Sequence, residues 1–287
     1  MDLHYNQPVP WPSLSEDVVV GLIVLKYGQY GLIPNVRPPF VPTIDSPTTH
    51  VPVQEQSDLE YIRCLADRHG YLFYLDPGPA PNVSTAYFGP PNRTGLSQIA
   101  LSANMGPFTN VETISFTNNA LAPTIVQGTI IDSLTNQPMP VISAPLSTRV
   151  PLASMPSHLI NQPNVRRSRV PVTPQDDQRN TPGAEVDCEH ARTAVGSTAP
   201  EAMARAQATV DASADNAVTA TGTLDALQYG DILLARGKVG VRGVGFSYNG
   251  EYYVKSVTHS IKRGEYKQRF TLSREGIGSL TPLVRPS

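Results

Sequence analysis

The stretch Gly250-Glu251-Tyr252-Tyr253-Val254-Lys255-Ser256-Val257-Thr258-His259-Ser260-Ile261-Lys262-Arg263-Gly264-Glu265-Tyr266-Lys267-Gln268-Arg269-Phe270-Thr271-Leu272-Ser273-Arg274 decides the fold. It is crowded with β-branched and aromatic residues, which suit a pleated, half-buried surface. Tyr252–His259 and Tyr266–Leu272 read as strands, with Arg263-Gly264 as a plausible turn between them. Asn249-Gly250, just ahead, is a strong hairpin signal, because the favoured two-residue turns need positive φ. Further back, Val218–Leu224 and Ile232–Ala235 also read as strands. A meander with regularly spaced turns predicts a small barrel or sandwich.

Outward from this region the pattern weakens. From about Ile99 the apolar period is two; Val111–Phe116 and, after Pro123, Thr124–Ile131 are strand-like. Residues 134–186 lose periodicity and carry nine prolines and a basic run, Arg166-Arg167-Ser168-Arg169. They read as a long loop or strap. A helix follows, with Pro200 at or near its first position, Glu201 in its first turn and an alanine-rich body over Ala202–Ala214. Residues 1–56 hold nine prolines and one regular segment, a helix over Glu16–Lys26. Ser13 or Ser15 would cap it, acids fill its first turn, and it ends near Gly28; the run Val18-Val19-Val20 leaves a strand open. Residues 34–52 read as an extended connector. The strongest local signal is Ser57-Asp58-Leu59-Glu60, a capping box. Leu59, Ile62, Leu65 and Ala66 then share a helical face, and Gly70 stops the helix at C′. Strands are expected at Tyr71–Leu75, broken by Asp76-Pro77-Gly78, and around Ala86-Tyr87-Phe88.

Composition excludes several classes. The 287 residues, 31.0 kDa, suit one to two domains with real cores. Charged residues are 16%, against about 25% in typical domains. A formal net charge of -2 gives no general pull toward nucleic acid or anionic lipid. The 28 prolines and 21 glycines imply much loop and edge, short of the share that marks disorder. The longest apolar run, Val18–Leu25, is far below the roughly 20 residues of a membrane span. Met1-Asp2-Leu3-His4-Tyr5-Asn6 shows no secretory signal pattern. Two cysteines, Cys64 and Cys188, fit free thiols in a reducing compartment.

The candidates for chemistry all favour structural readings. Asp187-Cys188-Glu189-His190 lacks the further ligands of a closed metal site. Asp67-Arg68-His69 ends a helix, where cations are favoured anyway. His259 has no serine or cysteine placed near it by a motif. Gly240-Val241-Arg242-Gly243-Val244-Gly245 lacks the Gly-Lys-Ser/Thr ending of a phosphate loop and does not lie between a strand and a helix. Its glycines predict a bulge or tight bend in a curved sheet. Arg166–Arg169 lacks interleaved aromatics for nucleic acid. Asn82-Val83-Ser84 and Asn92-Arg93-Thr94 match a glycosylation sequon that has no meaning without secretion. No catalytic, cofactor-binding or metal residue is assigned, no cofactor is expected, and the chain reads as a non-enzyme.

Two segments carry a family resemblance. Gln56-Ser57-Asp58-Leu59-Glu60-Tyr61-Ile62-Arg63-Cys64-Leu65-Ala66-Asp67-Arg68-His69-Gly70-Tyr71-Leu72-Phe73-Tyr74 resembles the "QSDxEFLxRLAxxxGY" stretch of phage late control D proteins, the baseplate hubs of contractile tails. Spike proteins of type VI secretion carry a similar stretch. Gly250–Arg274 resembles the family's closing hairpin, "GxYxVxxVxHxI…GxYxxxFxLxR", and Leu224-Asp225-Ala226-Leu227-Gln228-Tyr229-Gly230 resembles the segment before it. Arg274–Pro282 looks most like versions from phage-tail-like injection particles.

The resemblance implies an α+β, β-rich fold: a tube-like β-barrel domain plus a small helix-strand domain, with long proline-rich loops. The expected division is 1–96 for the helix-strand domain with its connector, 97–135 and 217–287 for the two parts of the barrel, and 136–216 for the strap and alanine-rich helix. The family's first barrel, ahead of the helix at Glu16–Lys26, is not legible. The implied role is mechanical: a homotrimeric ring joining the inner tail tube, or its initiator protein, to the spike protein. Other baseplate proteins are further partners; nucleic acid and direct membrane insertion are not expected. The protein would be assembled in the bacterial cytoplasm into a phage-tail-like particle or virion. The alternative is a cell-envelope (peptidoglycan or glycan) hydrolase or binding module of a tail tip, for which Glu251 and Asp231 are the residues to test.

Overall fold

The computed structural model describes residues 8–42, 51–78, 80–119, 121–122, 124–132, 135, 137–144, 147–157, 164–167 and 198–280. The chain divides into two compact units. The first comprises Met1–Pro91, Val126–Ser143 and Arg167–Ala208; the second comprises Asn92–Ile125, Ala144–Arg166 and Thr209–Ser287. The fold is α+β and β-rich, with the largest sheet curled into a half-barrel.

In the first unit, helices Glu16–Lys26 and Asp58–His69 pack on a three-stranded sheet. The strand order is Leu32–Val36, Ser84–Gly89, Leu72–Pro77, the first pair parallel and the second antiparallel. The valine run is helical despite its β preference, because helical spacing brings Val19, Val20, Ile23 and Val24 together into one core with Trp11, Ile62, Leu65, Ala86 and Phe88. Burial outweighs a propensity difference of a few tenths of a kcal/mol per residue. Ser15 occupies the N-cap position without a side-chain cap bond. The second helix is capped as expected: Ser57 Oγ accepts from Glu60 N at 3.3 Å, Glu60 Oε2 accepts from Ser57 N at 3.2 Å, and Gly70 is left-handed at φ 63°. The following strand runs through Asp76 to Pro77 instead of breaking there. As a sheet edge it tolerates the proline.

Two more corrections concern loops. Strand Leu32–Val36 occupies the start of the stretch read as a connector. Within the segment read as a strap, Pro138–Ile142, Ala153–Pro156 and Asn164–Arg167 are strands. Pro138–Ile142 pairs with Gln127–Ile131, where Ile130 and Val141 meet Ala199 and Ala206 of helix Ala199–Ala214. It lies at a sheet edge, where a missing proline N–H breaks no ladder.

In the second unit the half-barrel has six strands in the order Ser97–Ser102, Lys238–Arg242, Gly250–Lys262, Glu265–Arg274, Val218–Asp225, Thr113–Asn118. The first pair is parallel and the rest antiparallel. Leu101, Val218, Leu224, Val239, Tyr252, Val254, Phe270 and Leu272 fill the concave core. The turn assignments trade places. Arg263-Gly264 is the tight turn, with Lys262 opposite Glu265 and Gly264 at φ 79°. Asn249-Gly250 instead closes a seven-residue loop, residues 243–249, in which Asn249 Oδ1 accepts from Val244 N at 3.1 Å. The expected irregularity near Gly240 is present as a register shift between Val239 and Val241 against strand Ser97–Ser102. Ile232–Ala235 is not a strand. Its Leu233 is buried, and its peptide donates to Gln268 Oε1 (3.0 Å) and accepts from Gln268 Nε2 (3.1 Å), so one side chain replaces a ladder rung. Cys64 is buried, and Cys188 lies outside the described residues.

Candidate assembly surface

Each unit is organised around buried charge. In the first, Asp58 opens its helix almost fully buried and accepts from Gln54 Nε2 and Tyr27 Oη, both at 2.7 Å. Gln54 Oε1 in turn accepts from Trp11 Nε1 at 3.2 Å. Glu16, at the start of its helix, pairs with Arg68 and His69 at the end of the other. The positive N-terminus of one helix dipole thus meets an acid and the negative C-terminus of the other meets the Arg68 guanidinium, joined in one latch. This is the structural role that the Asp67-Arg68-His69 pattern suggested.

In the second unit Arg274 is wholly buried without a carboxylate hydrogen bond of its own. It donates to the carbonyls of Gly276 (2.8 Å), Asn249 (3.0 Å), Gly278 (3.2 Å) and Ser247 (2.8 Å), with its guanidinium 4.3 Å from the Tyr252 ring centroid. Burial lowers its pKa, offset by the electrostatic effect of Tyr252 and Glu275. Sequence reading carried Arg274 only within the family-like segments and gave it no role, because its carbonyl partners lie in other segments. Arg93 and Arg149 share Asp215, and Arg93 also reaches Glu275 at 3.0 Å. Burial pushes Arg149 down to about 10.

The residues set aside for chemistry do not converge. His259 is exposed, its Nδ1 held by Tyr266 Oη at 2.9 Å and Gln268 Nε2 at 3.2 Å. Glu251 pairs with Ser97 and with Lys238 Nζ at 3.0 Å. Asp231 accepts from its neighbour Ile232 N at 2.7 Å. Among the described residues no group of three His, Cys, Asp or Glu side chains could hold a metal ion, and no helix is long and apolar enough to cross a membrane. Asp187–His190 and Ser168-Arg169 lie outside the described residues.

What the second unit does present is strand edge and ribbon. Strands Ser97–Ser102 and Thr113–Asn118 end the sheet on its two sides. Asn110 bridges from the segment between them: its peptide donates to Ser102 O (3.0 Å), Oδ1 accepts from Ser102 N (2.7 Å) and Nδ2 donates to Ala100 O (2.9 Å). The hairpin Gly250–Lys262 with Glu265–Arg274 outruns the core. From Thr258 to Gly264 every residue is exposed, while the returning strand is half-buried at Glu265–Lys267 and buried at Gln268. Ile261 is 74% exposed there, beside Lys262 and Arg263. The ribbon tip therefore presents Ile261, Lys262 and Arg263 together to solvent.

No protein-family model matches the sequence, and no curated protein matches it. Among solved structures, the tail protein from Neisseria meningitidis MC58 aligns with 95% of this chain and 70% of its own, at 10% identity and a TM-score of 0.54. The 43 kDa tail protein of prophage MuSo2 from Shewanella oneidensis aligns with 93% of this chain and 67% of its own, at 13% identity and a TM-score of 0.51. The chain therefore shares its fold with these two tail proteins.

Proposed function

We propose that this chain is a structural, non-catalytic baseplate hub of a contractile injection system, a trimeric ring joining the inner tail tube to the spike. The observation that carries the reading is the fold shared with a tail protein over 95% of the chain. Two features support it. The half-barrel leaves strand edges and a solvated ribbon suited to contacts between subunits. The segments that resemble late control D proteins form the capped helix of one unit and the closing hairpin of the other. The tube or tube-initiator protein, the spike and other baseplate proteins are its partners, and assembly takes place in the bacterial cytoplasm. Light scattering after gel filtration tests the ring. A mass of three 31.0 kDa chains is expected, alone or on addition of the spike protein. A monomer that binds neither spike nor tube protein overturns the reading. Peptidoglycan release by the pure chain, lost in Glu251→Gln, would put an envelope hydrolase in its place.

A further inference from the structure

The segment from Thr148 to Ser157 crosses the second unit as a strap, and its attachment is mainly polar. Asp211 accepts from Thr148 N at 3.0 Å and from Thr148 Oγ1 at 2.6 Å. Asp215 accepts from Arg149. Glu275 accepts from the Leu152 peptide N–H and from that of Ala153 at 2.8 Å. Arg93 ties the clasp together: it donates to Val150 O (3.2 Å), to Glu275 (3.0 Å) and to Asp215. Of the six residues from Thr148 to Ala153, only Pro151 lacks a bond to one of these charged groups. All three carboxylates are buried.

Apolar attachment is slight by comparison. Leu152 and Ala153 are buried, but Val150 is 48% and Met155 39% exposed. No strap residue belongs to the core cluster of the half-barrel. Beyond the clasp, Ala153–Pro156 pairs with strand Gly276–Ser279 over a floor of glycines. A Cβ at Gly276 would lie 2.2 Å from Met155 O, and one at Gly278 would lie 2.3 Å from Ser154 Oγ. The strap is seated as closely as backbone allows, yet what holds it is charge.

We propose that residues 148–157 form a charge-latched strap that covers the edge of strand Gly276–Ser279 and opens as one piece while the half-barrel stays folded. Opening breaks the clasp and one short strand pair and exposes Leu152 and Ala153, but it leaves the core cluster of the half-barrel intact, so it lies among the local openings of the chain. It uncovers a strand edge, which is a template for pairing with an extended segment. The clasp residues lie outside the ribbon Thr258–Gly264, so the opening is independent of the hub reading.

Hydrogen exchange of the full chain, read by mass spectrometry, tests it with two independent variants. Asp211→Asn keeps the shape and removes one charge of the latch. Gly276→Ala keeps every charge and pries the strap off sterically. In each, amides 148–157 should exchange roughly tenfold faster, the factor given by a loss of about 1.4 kcal/mol of opening free energy, while strands Val218–Asp225 and Gly250–Arg274 keep wild-type protection. Acceleration confined to the strap in either variant supports the proposal. Wild-type exchange of the strap in both, or strap and sheet accelerating together, overturns it.

Discussion

At the scale of single residues, the buried charges decide most. Arg274 has no carboxylate of its own and instead satisfies four carbonyls from two segments, the loop of residues 243–249 and strand Gly276–Ser279. Arg274→Met should lower stability by about 3 kcal/mol or more, measured by urea unfolding, because several buried acceptors lose their donors together. Arg274→Lys should recover little, since one ammonium cannot reproduce the planar fork. Glu251 gives a test of pH dependence. Burial alone would raise its pKa, but the Ser97 hydroxyl and the Lys238 ammonium outweigh that and hold it below the usual 4.5. A carboxylate with a depressed folded pKa adds stability that is present above the unfolded value and is lost as pH falls through the folded one. The stability difference between wild type and Glu251→Gln should therefore be present at neutral pH and vanish in acid below 4.5. It should stay under about 1 kcal/mol, because the pair is partly solvated.

At the scale of elements, helix Asp58–His69 has both ends specified by local chemistry: the capping box at one, left-handed Gly70 at the other. Ser57→Ala should cost about 1 kcal/mol, read as a lowered midpoint of unfolding with an unchanged slope. This helix was legible from four residues because a cap is a contact between neighbours in sequence. The hairpin behaves differently along its length. Its inner half carries Tyr252, Val254, Phe270 and Leu272 in the core, and its outer half carries nothing buried from Thr258 to Gly264. The outer half therefore tolerates change without loss of folding. On the hub reading, the double variant Ile261→Asp, Arg263→Glu should unfold within about 0.5 kcal/mol of wild type yet fail to form the trimer, as read by light scattering.

At the scale of the whole molecule, the two units each bury their own core, and the second is built on an open sheet. A half-barrel leaves two strand edges. Proteins cover such edges with loops, charge or neighbours. Here Asn110 covers part of one with its own amide, and the strap covers the edge of strand Gly276–Ser279 in the same unit. The tail protein that shares this fold over 95% of the chain is only 10% identical to it. A half-barrel depends on alternation and curvature, which many sequences satisfy, so an identity this low is compatible with the same fold.

By itself the amino-acid sequence determined what depends on neighbours along the chain: the cap at Ser57, the stop at Gly70, the alternation of Tyr252–His259 and Tyr266–Leu272, and the turn at Arg263-Gly264. Only the tertiary structure decided what depends on distant partners. It made Val18–Val20 helical, because burial against Phe88 and Ile62 outweighed β propensity. It replaced the expected strand at Leu233 with two hydrogen bonds between the Leu233 peptide and the Gln268 side chain, one in each direction. It found strands at Pro138–Ile142 and Ala153–Pro156, where proline content argued for loop, because edges forgive a missing donor. It also brought Arg93, Arg149, Asp211, Asp215 and Glu275, scattered over 183 residues of sequence, into one buried clasp. Charges that far apart carry no local pattern; only the fold makes them neighbours.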